Sequence, residues 1–165
     1  MPAFSFVDTG TMRYWLMKSE PAEFGIGHLE RSRGRKASWT GVRNYQARNF
    51  MRDHMKMGDR AFFYHSSCPE PGIAGIVEVC RAAHPDATQF ERRSDYYDPA
   101  ATHAAPRWFT VDVRLIRITP LVSLAELRRH RELRNMRVLA PGNRLSITPV
   151  EPREWEFITT RLMRA

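Results

Sequence analysis

The chain has 165 residues, 42% of them hydrophobic and 27% charged, which favours a single globular domain with one core. No apolar stretch approaches the ~20 residues of a membrane span, so a membrane-spanning protein is excluded and we expect no membrane partner. Lys and Arg number 26 against 18 Asp and Glu, a balance that attracts polyanions, with nucleic acid the leading candidate. A high-GC bacterial genome also inflates Arg and Ala, and it is the alternative explanation of the charge.

The two cysteines and the N-terminus bear on the compartment. Cys68 and Cys80 have no metal-ligand partners at short spacing and are typical of reduced thiols in a cytosolic protein. The first residues lack the basic region and the apolar length of a signal peptide. Met12 is a possible start, so we interpret residues 1–11 as an N-terminal extension and residues 12–165 as the single domain. We expect a cytoplasmic monomer.

Predicted elements alternate irregularly in the first half of the chain. Residues 14–17 form a short apolar strand, and the Gly- and Arg-rich segment that follows it predicts a short helix or turn and then a basic loop. A helix begins after Asn44, which is a typical capping residue, and apolar side chains recur at helical spacing through Met55. Two buried strands, "AFFYHS" and "GIAGIVEVC", come next and are linked by a loop.

The second half opens with a long, polar, Pro-interrupted loop over residues 81–106, and loops of this length are often functional. "RWFTVDVRLIRI" alternates as a half-buried strand, which we expect Pro120 to end. Ser123 and Glu126 have capping-box spacing and predict a helix start. A short strand or turn and a final helix, with Trp155 in the core, complete the chain. Few short helices among several strands favour an α+β fold with a curved or closed, mainly antiparallel sheet.

Seven blocks of the sequence together resemble one known family. They are "YWLMKSEP", "WTGVRNYQARNFMR", "GDRAFFYHS", "GIAGIVEV", "YYDP", "PRWFTVDV" and "NRLSITPV", within residues 13–158. Their order and spacing resemble the EVE domain, which is related to the YTH readers of methylated adenine in RNA and belongs to the PUA-like superfamily of small β-barrels. The resemblance implies a PUA-like barrel flanked by short helices and a non-catalytic reader of modified bases, with modified cytosine the class usually linked to EVE domains.

The chemistry of such a reader agrees with the residues present. A protein that recognises a modified base flips that base out of the stack, holds it by stacking on aromatic rings and binds its edge with a few polar groups. A basic rim then holds the phosphates. The expected partner is therefore DNA or RNA carrying a modified base. The sequence does not decide between the two nucleic acids, nor does it identify the modification.

The resemblance also implies a set of pocket residues. Trp39 matches the position of an aromatic against the ligand, and Ser19 and Asn44 match polar positions of the same pocket. A partly buried edge aromatic is the alternative for Trp39, and simple helix capping for Asn44. The other candidates are Arg43 at the pocket mouth, Tyr64, His65 and Ser66 at a strand end, Tyr97 and Asp98 in a possible lid, and Trp108, Arg144 and Ser146.

Several of these further candidates have a plainer explanation. A solvated helix face explains Arg43, a satisfied structural group explains His65, and the barrel core explains Trp108. The "DYYDPA" segment carries Tyr96, Tyr97 and Asp98, and it is equally typical of a turn packed on the barrel.

Catalysis and metal binding lack the expected patterns. The six histidines are scattered, and His65 with Cys68 has none of the other ligands of a zinc site. We therefore expect no catalytic residue, no metal and no cofactor. The alternatives are a small hydrolase or base-modifying enzyme on the same barrel, using Glu20, Asp59 or Asp98, and a module that binds a nucleotide-like metabolite.

Overall fold

The computed structural model describes residues 12–163, so the predicted extension over residues 1–11 lies outside the described part. The strands are β1 (Tyr14–Ser19), β2 (Lys36–Ser38), β3 (Arg60–His65), β4 (Gly72–Pro85), β5 (Phe109–Ser123) and β6 (Ile147–Val150). The α-helices are α1 (Pro21–Phe24), α2 (Ile26–Arg31), α3 (Tyr45–Asn49), α4 (Leu124–Arg128) and α5 (Pro152–Phe157). The strands form one sheet in the order β2-β5-β4-β3-β1-β6, and only the β1–β3 pair is parallel. The predicted α+β class is confirmed.

The sheet buries both of its faces. Side chains alternate along β1, so Trp15 belongs to one core cluster and Leu16 to the other. Helices α2 and α3 cover the first face, where Ala47 is buried, and α4 and α5 cover the second, where Trp155 is buried as predicted. No helix of residues 12–163 has the length and apolar character to cross a membrane.

The sheet curves strongly over its first face. Trp39 directly follows the edge strand β2, yet its ring packs edge-on against Phe63 of β3, with ring centroids 5.2 Å apart. Strands β5 and β4 separate β2 from β3 in the sheet, so this contact requires the sheet to curl. The curvature brings the chain that leaves β2 close to the ends of β1 and β3.

Two helix starts follow the predicted capping chemistry. The Asn44 side chain accepts a hydrogen bond from the backbone N–H of Ala47 at 3.0 Å and begins α3. The Ser123 hydroxyl accepts from the N–H of Glu126 at 3.0 Å and begins α4.

The predicted end of β5 at Pro120 is wrong, because the strand continues to Ser123. Ile118 pairs with Gly75 and Val122 with Ile73, and the register shifts between these pairs. Pro120 therefore lies in an irregular stretch, where a missing N–H removes no ladder hydrogen bond. The predicted long loop is also shorter than expected, because β4 runs to Pro85.

Candidate functional site

A cavity of about 840 Å³ opens where β1 and β3 end and where the chain leaves β2. Six of the predicted pocket residues line it: Ser19, Trp39, Arg43, Ser66, Arg144 and Ser146. Eleven further residues, which are not in the predicted set of pocket contacts, line it as well: Lys18, Glu20, Glu23, Phe24, Ser38, Thr40, Gly41, Val42, Ser67, Tyr96 and Asn143. The volume falls within the range of about 300–1,000 Å³ that is typical of small-molecule sites.

Trp39 belongs both to the core and to the wall of the cavity. Its ring is only 6% exposed and packs edge-on against Phe63 and Phe24, with centroids 5.2 and 6.4 Å away. The backbone N–H of Trp39 donates to the carbonyl of Val111 and fixes the start of the loop. The sequence predicted a pocket wall, with a partly buried edge aromatic as the alternative, whereas the structure places Trp39 in the first core cluster as well as in the lining of the cavity. Most of the Trp39 surface is therefore packed, and the small exposed part lines the cavity.

Tyr96 supplies a second aromatic wall, and its position depends on Gly41. A Cβ atom at Gly41 would lie 2.7–2.9 Å from atoms of the Tyr96 ring, so only glycine permits this packing. Gly41 also has a φ of +87°, a region that disfavours side chains. The Tyr96 hydroxyl donates to Glu23 Oε2 at 3.0 Å, which ties the loop carrying Tyr96 to α1.

An ion pair joins the loop that carries Gly41 and Arg43 to the segment that carries Asp86 and Tyr96. Arg43 Nη1 donates to Asp86 Oδ2 at 3.1 Å, while Arg43 Nη2 donates to the Tyr96 carbonyl at 2.7 Å. Asp86 is fully buried and also accepts from the N–H of Gly41 at 2.8 Å. Burial alone would raise the pKa of Asp86, but hydrogen bonds from Thr88, Gly41 and Arg43 outweigh it and hold that pKa below its usual value. Asp86 therefore stays ionised and fixes both Gly41 and Arg43.

Hydrogen bonds of backbone and side-chain groups hold the opposite side of the cavity. The Ser19 hydroxyl donates to the Phe24 carbonyl at 2.6 Å, and the N–H of Ser66 donates to the Ser19 carbonyl at 2.9 Å. His65 Nε2 accepts from the N–H of Ile26 at 3.1 Å, at the start of α2. Burial lowers the pKa of His65, which favours the neutral ring that this acceptor role requires. His65 thus braces α2 and does not line the cavity.

Tyr64 lies on the other face of the sheet. It follows Phe63 in β3, so alternation directs it into the second core cluster, where it is 2% exposed. Burial raises the pKa of its hydroxyl to about 12. The structure therefore separates Tyr64 from the cavity, contrary to the expectation from its position in the "FFYHSS" block.

Two more predicted contacts, Trp108 and Asp98, form a supporting layer beside the cavity, whereas a third, Tyr97, does not. Trp108 Nε1 donates to Asp98 Oδ2 at 2.7 Å, and this hydrogen bond is the main cause that lowers the pKa of Asp98. Trp108 is 6% exposed, and the Arg43 guanidinium lies 5.2 Å from its ring. Tyr97 is exposed at the surface and is not among the lining residues. In the predicted lid, therefore, Tyr96 lines the cavity. Trp108 does not line it but packs against the Arg43 guanidinium, which does.

Asn44 lies in a neighbouring depression. Its side chain caps α3 and lines a smaller cavity of about 190 Å³, which shares Asn143 and Arg144 with the larger one. The capping alternative for Asn44 is thus present in the structure, and the residue lies beside the main cavity rather than within it.

The lining offers both acceptors and donors around its aromatic walls. Glu20 and Glu23 supply carboxylates, while Arg144, Ser66 and Ser146 supply donors. The described residues contain no group of three or more His, Cys, Asp or Glu side chains suited to a metal ion. Ser38, which also lines the cavity, donates to Asp112 Oδ1 at 2.6 Å, and His84 contacts the same oxygen at 2.8 Å. The serine is therefore bonded to the carboxylate and not to the imidazole that would activate it as a nucleophile.

Comparison with known proteins gives consistent matches over nearly the whole chain. The EVE domain model matches residues 13–161. Human thymocyte nuclear protein 1 is 43% identical over 163 residues, covering 88% of this chain and 72% of that protein. A Pseudomonas syringae protein of known crystal structure is 47% identical with a TM-score of 0.84, over 88% of this chain and 97% of that one. The human THYN1 protein, solved in complex with DNA containing 5-methylcytosine, is 41% identical with a TM-score of 0.86, over 93% of this chain and 99% of that one.

Proposed function

This chain belongs to the EVE domain family, and we propose that it binds DNA carrying a modified base, which it holds in the cavity lined by Trp39 and Tyr96. The observation that carries the proposal is the similarity to human THYN1, a protein solved with DNA containing 5-methylcytosine. The net charge of +8 supports it, because DNA presents a continuous line of phosphates.

The polar groups of the cavity suit a cytosine derivative. Cytosine offers an amino group as donor and has ring acceptors beside it, and carboxylates commonly accept from that amino group. Glu20 and Glu23 supply such carboxylates, and Ser66 and Ser146 supply hydroxyl donors on the same cavity. We infer that the base enters by flipping out of the duplex, since neither its faces nor its Watson–Crick edge are accessible within the stack.

The proposed role is binding without turnover. Arg43 pairs with the buried carboxylate of Asp86, and this pair positions the loops that carry Gly41 and Tyr96. The Ser38 hydroxyl donates a hydrogen bond to Asp112. These groups therefore already have structural partners. RNA carrying a modified base is the alternative partner, and we propose a cytoplasmic location and a monomeric state.

A binding and turnover panel tests this proposal. The protein is titrated with matched DNA duplexes and RNA strands that contain one 5-methylcytosine or one cytosine, and with the free 5-methyl nucleoside. The same mixtures are analysed by mass spectrometry after prolonged incubation. Tighter binding to the methylated duplex with unchanged ligand supports the reader. Equal binding to methylated and unmodified strands overturns it, and release of base, ammonia or phosphate establishes the enzyme alternative.

A further inference from the structure

An exposed aromatic ring surrounded by arginines lies on the surface next to the cavity. Tyr45, the first residue of α3, is 46% exposed although one side of its ring stacks on Trp108, with centroids 4.8 Å apart and planes 23° apart. The Arg48 guanidinium lies 4.6 Å from the Tyr45 ring centroid, and Arg107 Nη2 donates to the Tyr45 hydroxyl at 2.5 Å. We call Tyr45, Arg48, Arg52 and Arg107 the Tyr45 platform.

The positive charges of the platform are close enough to repel one another. Burial, and then the neighbouring charge of Arg52, lower the pKa of Arg48, and Arg107 contributes in the same direction. The Asp53 carboxylate forms an ion pair with Arg52 at 2.8 Å, and the Asp98 carboxylate forms one with Arg107 at 3.5 Å. Arg48 instead donates to neutral oxygens, those of the Asn49 side chain and the Arg107 carbonyl. Its charge is held in a fixed place, and no carboxylate of residues 12–163 pairs directly with it.

A continuous series of contacts links the platform to the cavity. Trp108 packs against Tyr45 at 4.8 Å and against the Arg43 guanidinium at 5.2 Å, and that guanidinium lies 5.5 Å from the Tyr96 ring. Arg43 and Tyr96 both line the cavity. Each of these three spacings is less than twice the rise of about 3.4 Å between nucleotides along one strand, so the platform lies within about six nucleotides of a base held in the cavity.

Resting on the proposed function, we propose that the Tyr45 platform binds the nucleotides that flank the extruded base. A flanking base stacks on the open side of the Tyr45 ring, and the phosphates of the flanking nucleotides bind Arg48 and Arg52. Aromatic rings stack any base, and guanidinium groups recognise phosphate by paired hydrogen bonds, so the combination suits a nucleic-acid strand of any sequence. The cavity then selects the modified base, and the platform contributes affinity that is independent of it.

Two charge-matched double variants test the platform. Arg48→Gln with Arg52→Gln removes two charges from it, and Arg131→Gln with Arg134→Gln removes two exposed charges elsewhere, beside Leu133 of the second core cluster. Affinity for a duplex containing 5-methylcytosine is measured between low and moderate salt. The platform variant is expected to reduce the slope of log affinity against log salt by about 0.9 for each phosphate that it no longer binds, and the control variant to retain the wild-type slope. Equal slopes for the two variants would overturn the proposal, as would equal reductions in affinity.

The free 5-methyl nucleoside separates the platform from the cavity. It has no phosphate and no neighbouring base, so the platform variant is expected to bind it as tightly as the wild type does. Tyr45→Leu is expected to weaken duplex binding by about 5- to 150-fold because the flanking base can no longer stack, again without an effect on the nucleoside. Circular dichroism confirms that each variant is folded.

Two further outcomes distinguish the platform from the proposed function. A wild-type protein that does not discriminate methylated from unmodified DNA refutes the reader, yet a reduced salt slope in the platform variant still supports the platform as a nucleic-acid site. A platform variant that loses nucleoside binding together with duplex binding contradicts the platform, because the substitutions then act on the cavity.

Discussion

The Tyr96 ring lies directly against the Cα of Gly41, so that even a methyl group at Gly41 would come within 2.7–2.9 Å of the ring. The two residues are distant in the sequence, and Asp86 and Arg43 hold both of them in place. This packing sets the position of one aromatic wall of the cavity.

Gly41→Ala is expected to displace Tyr96 and weaken binding of the modified base. The backbone at Gly41 has a positive φ, which by itself costs a side chain about 1–2 kcal/mol. Gly58→Ala is the matched control, because Gly58 has a φ of +91° with nothing within 4 Å of the added Cβ. Backbone strain should reduce the thermal stability of both variants by a comparable amount. The total loss should be larger for Gly41→Ala, because there the added Cβ also meets the Tyr96 ring. Only Gly41→Ala should also lose affinity, and equal affinities for the two variants would contradict the role of Gly41 in placing Tyr96.

Trp39→Ala should reduce both stability and affinity, because the ring is core and wall together. Removing a buried tryptophan costs about 3–5 kcal/mol of folding free energy. Trp155→Ala is the control on the other face of the sheet, where Trp155 is 9% exposed and stacks on Phe62 at 4.1 Å. Chemical denaturation should show similar losses for the two variants. Calorimetric titration with the methylated duplex at low temperature should show weaker binding for Trp39→Ala alone, and retained affinity in that variant would exclude Trp39 from the site.

Asp86→Asn should destabilise the protein by about 3–5 kcal/mol, because it leaves the Arg43 charge without its buried partner. The variant also weakens the hydrogen bonds by which Asp86 and Arg43 position Gly41 and Tyr96. The affinity for the modified base should therefore fall as well. Asp112→Asn is a suitable comparison, since Asp112 is partly exposed and pairs with His84. Denaturant titration should show a clearly smaller loss at Asp112. Equal losses at the two positions would mean that the fully buried Asp86 contributes no more than the partly exposed Asp112.

His65 makes stability depend on pH in a defined direction. Burial lowers its pKa below the ordinary 6.5, so the unfolded chain takes up the proton first as the pH falls. The contribution of His65 is fully present above pH 6.5 and decreases as the pH falls below that value. His65→Gln keeps an acceptor for the N–H of Ile26 but does not titrate. Free energies of unfolding measured between about pH 5 and 7.5 should therefore decline more steeply for the wild type, and parallel curves would refute the assignment.

Local chemistry made the helix starts predictable from the sequence, whereas the pocket depended on distant contacts. Asn44 and Ser123 cap the helices that follow them through bonds only three residues long. Tyr64 was misplaced because β3 is apolar on both faces, so the pattern did not reveal which side faces the cavity. Tyr96, rather than Tyr97, lines the cavity because of its packing against Arg43 and Gly41, and neither of those relationships leaves a signal in a single sequence.

The end of β5 shows a similar limit. Proline usually ends a strand, and only the register shift between β4 and β5 makes Pro120 acceptable within one. Such a shift depends on how two strands pair, which local propensity does not encode. Glu23 and Phe24 likewise reach the cavity only because α1 turns back over the end of β1.

The central claim is that the cavity recognises a modified base in DNA. Its most direct test is the ratio of the dissociation constants of the wild-type protein for two duplexes that differ by a single methyl group, one with 5-methylcytosine and one with cytosine, at the same salt concentration. We predict a ratio that clearly favours the methylated duplex and that falls towards one in Gly41→Ala but not in Gly58→Ala. A wild-type ratio of one, with both duplexes bound, would contradict the account.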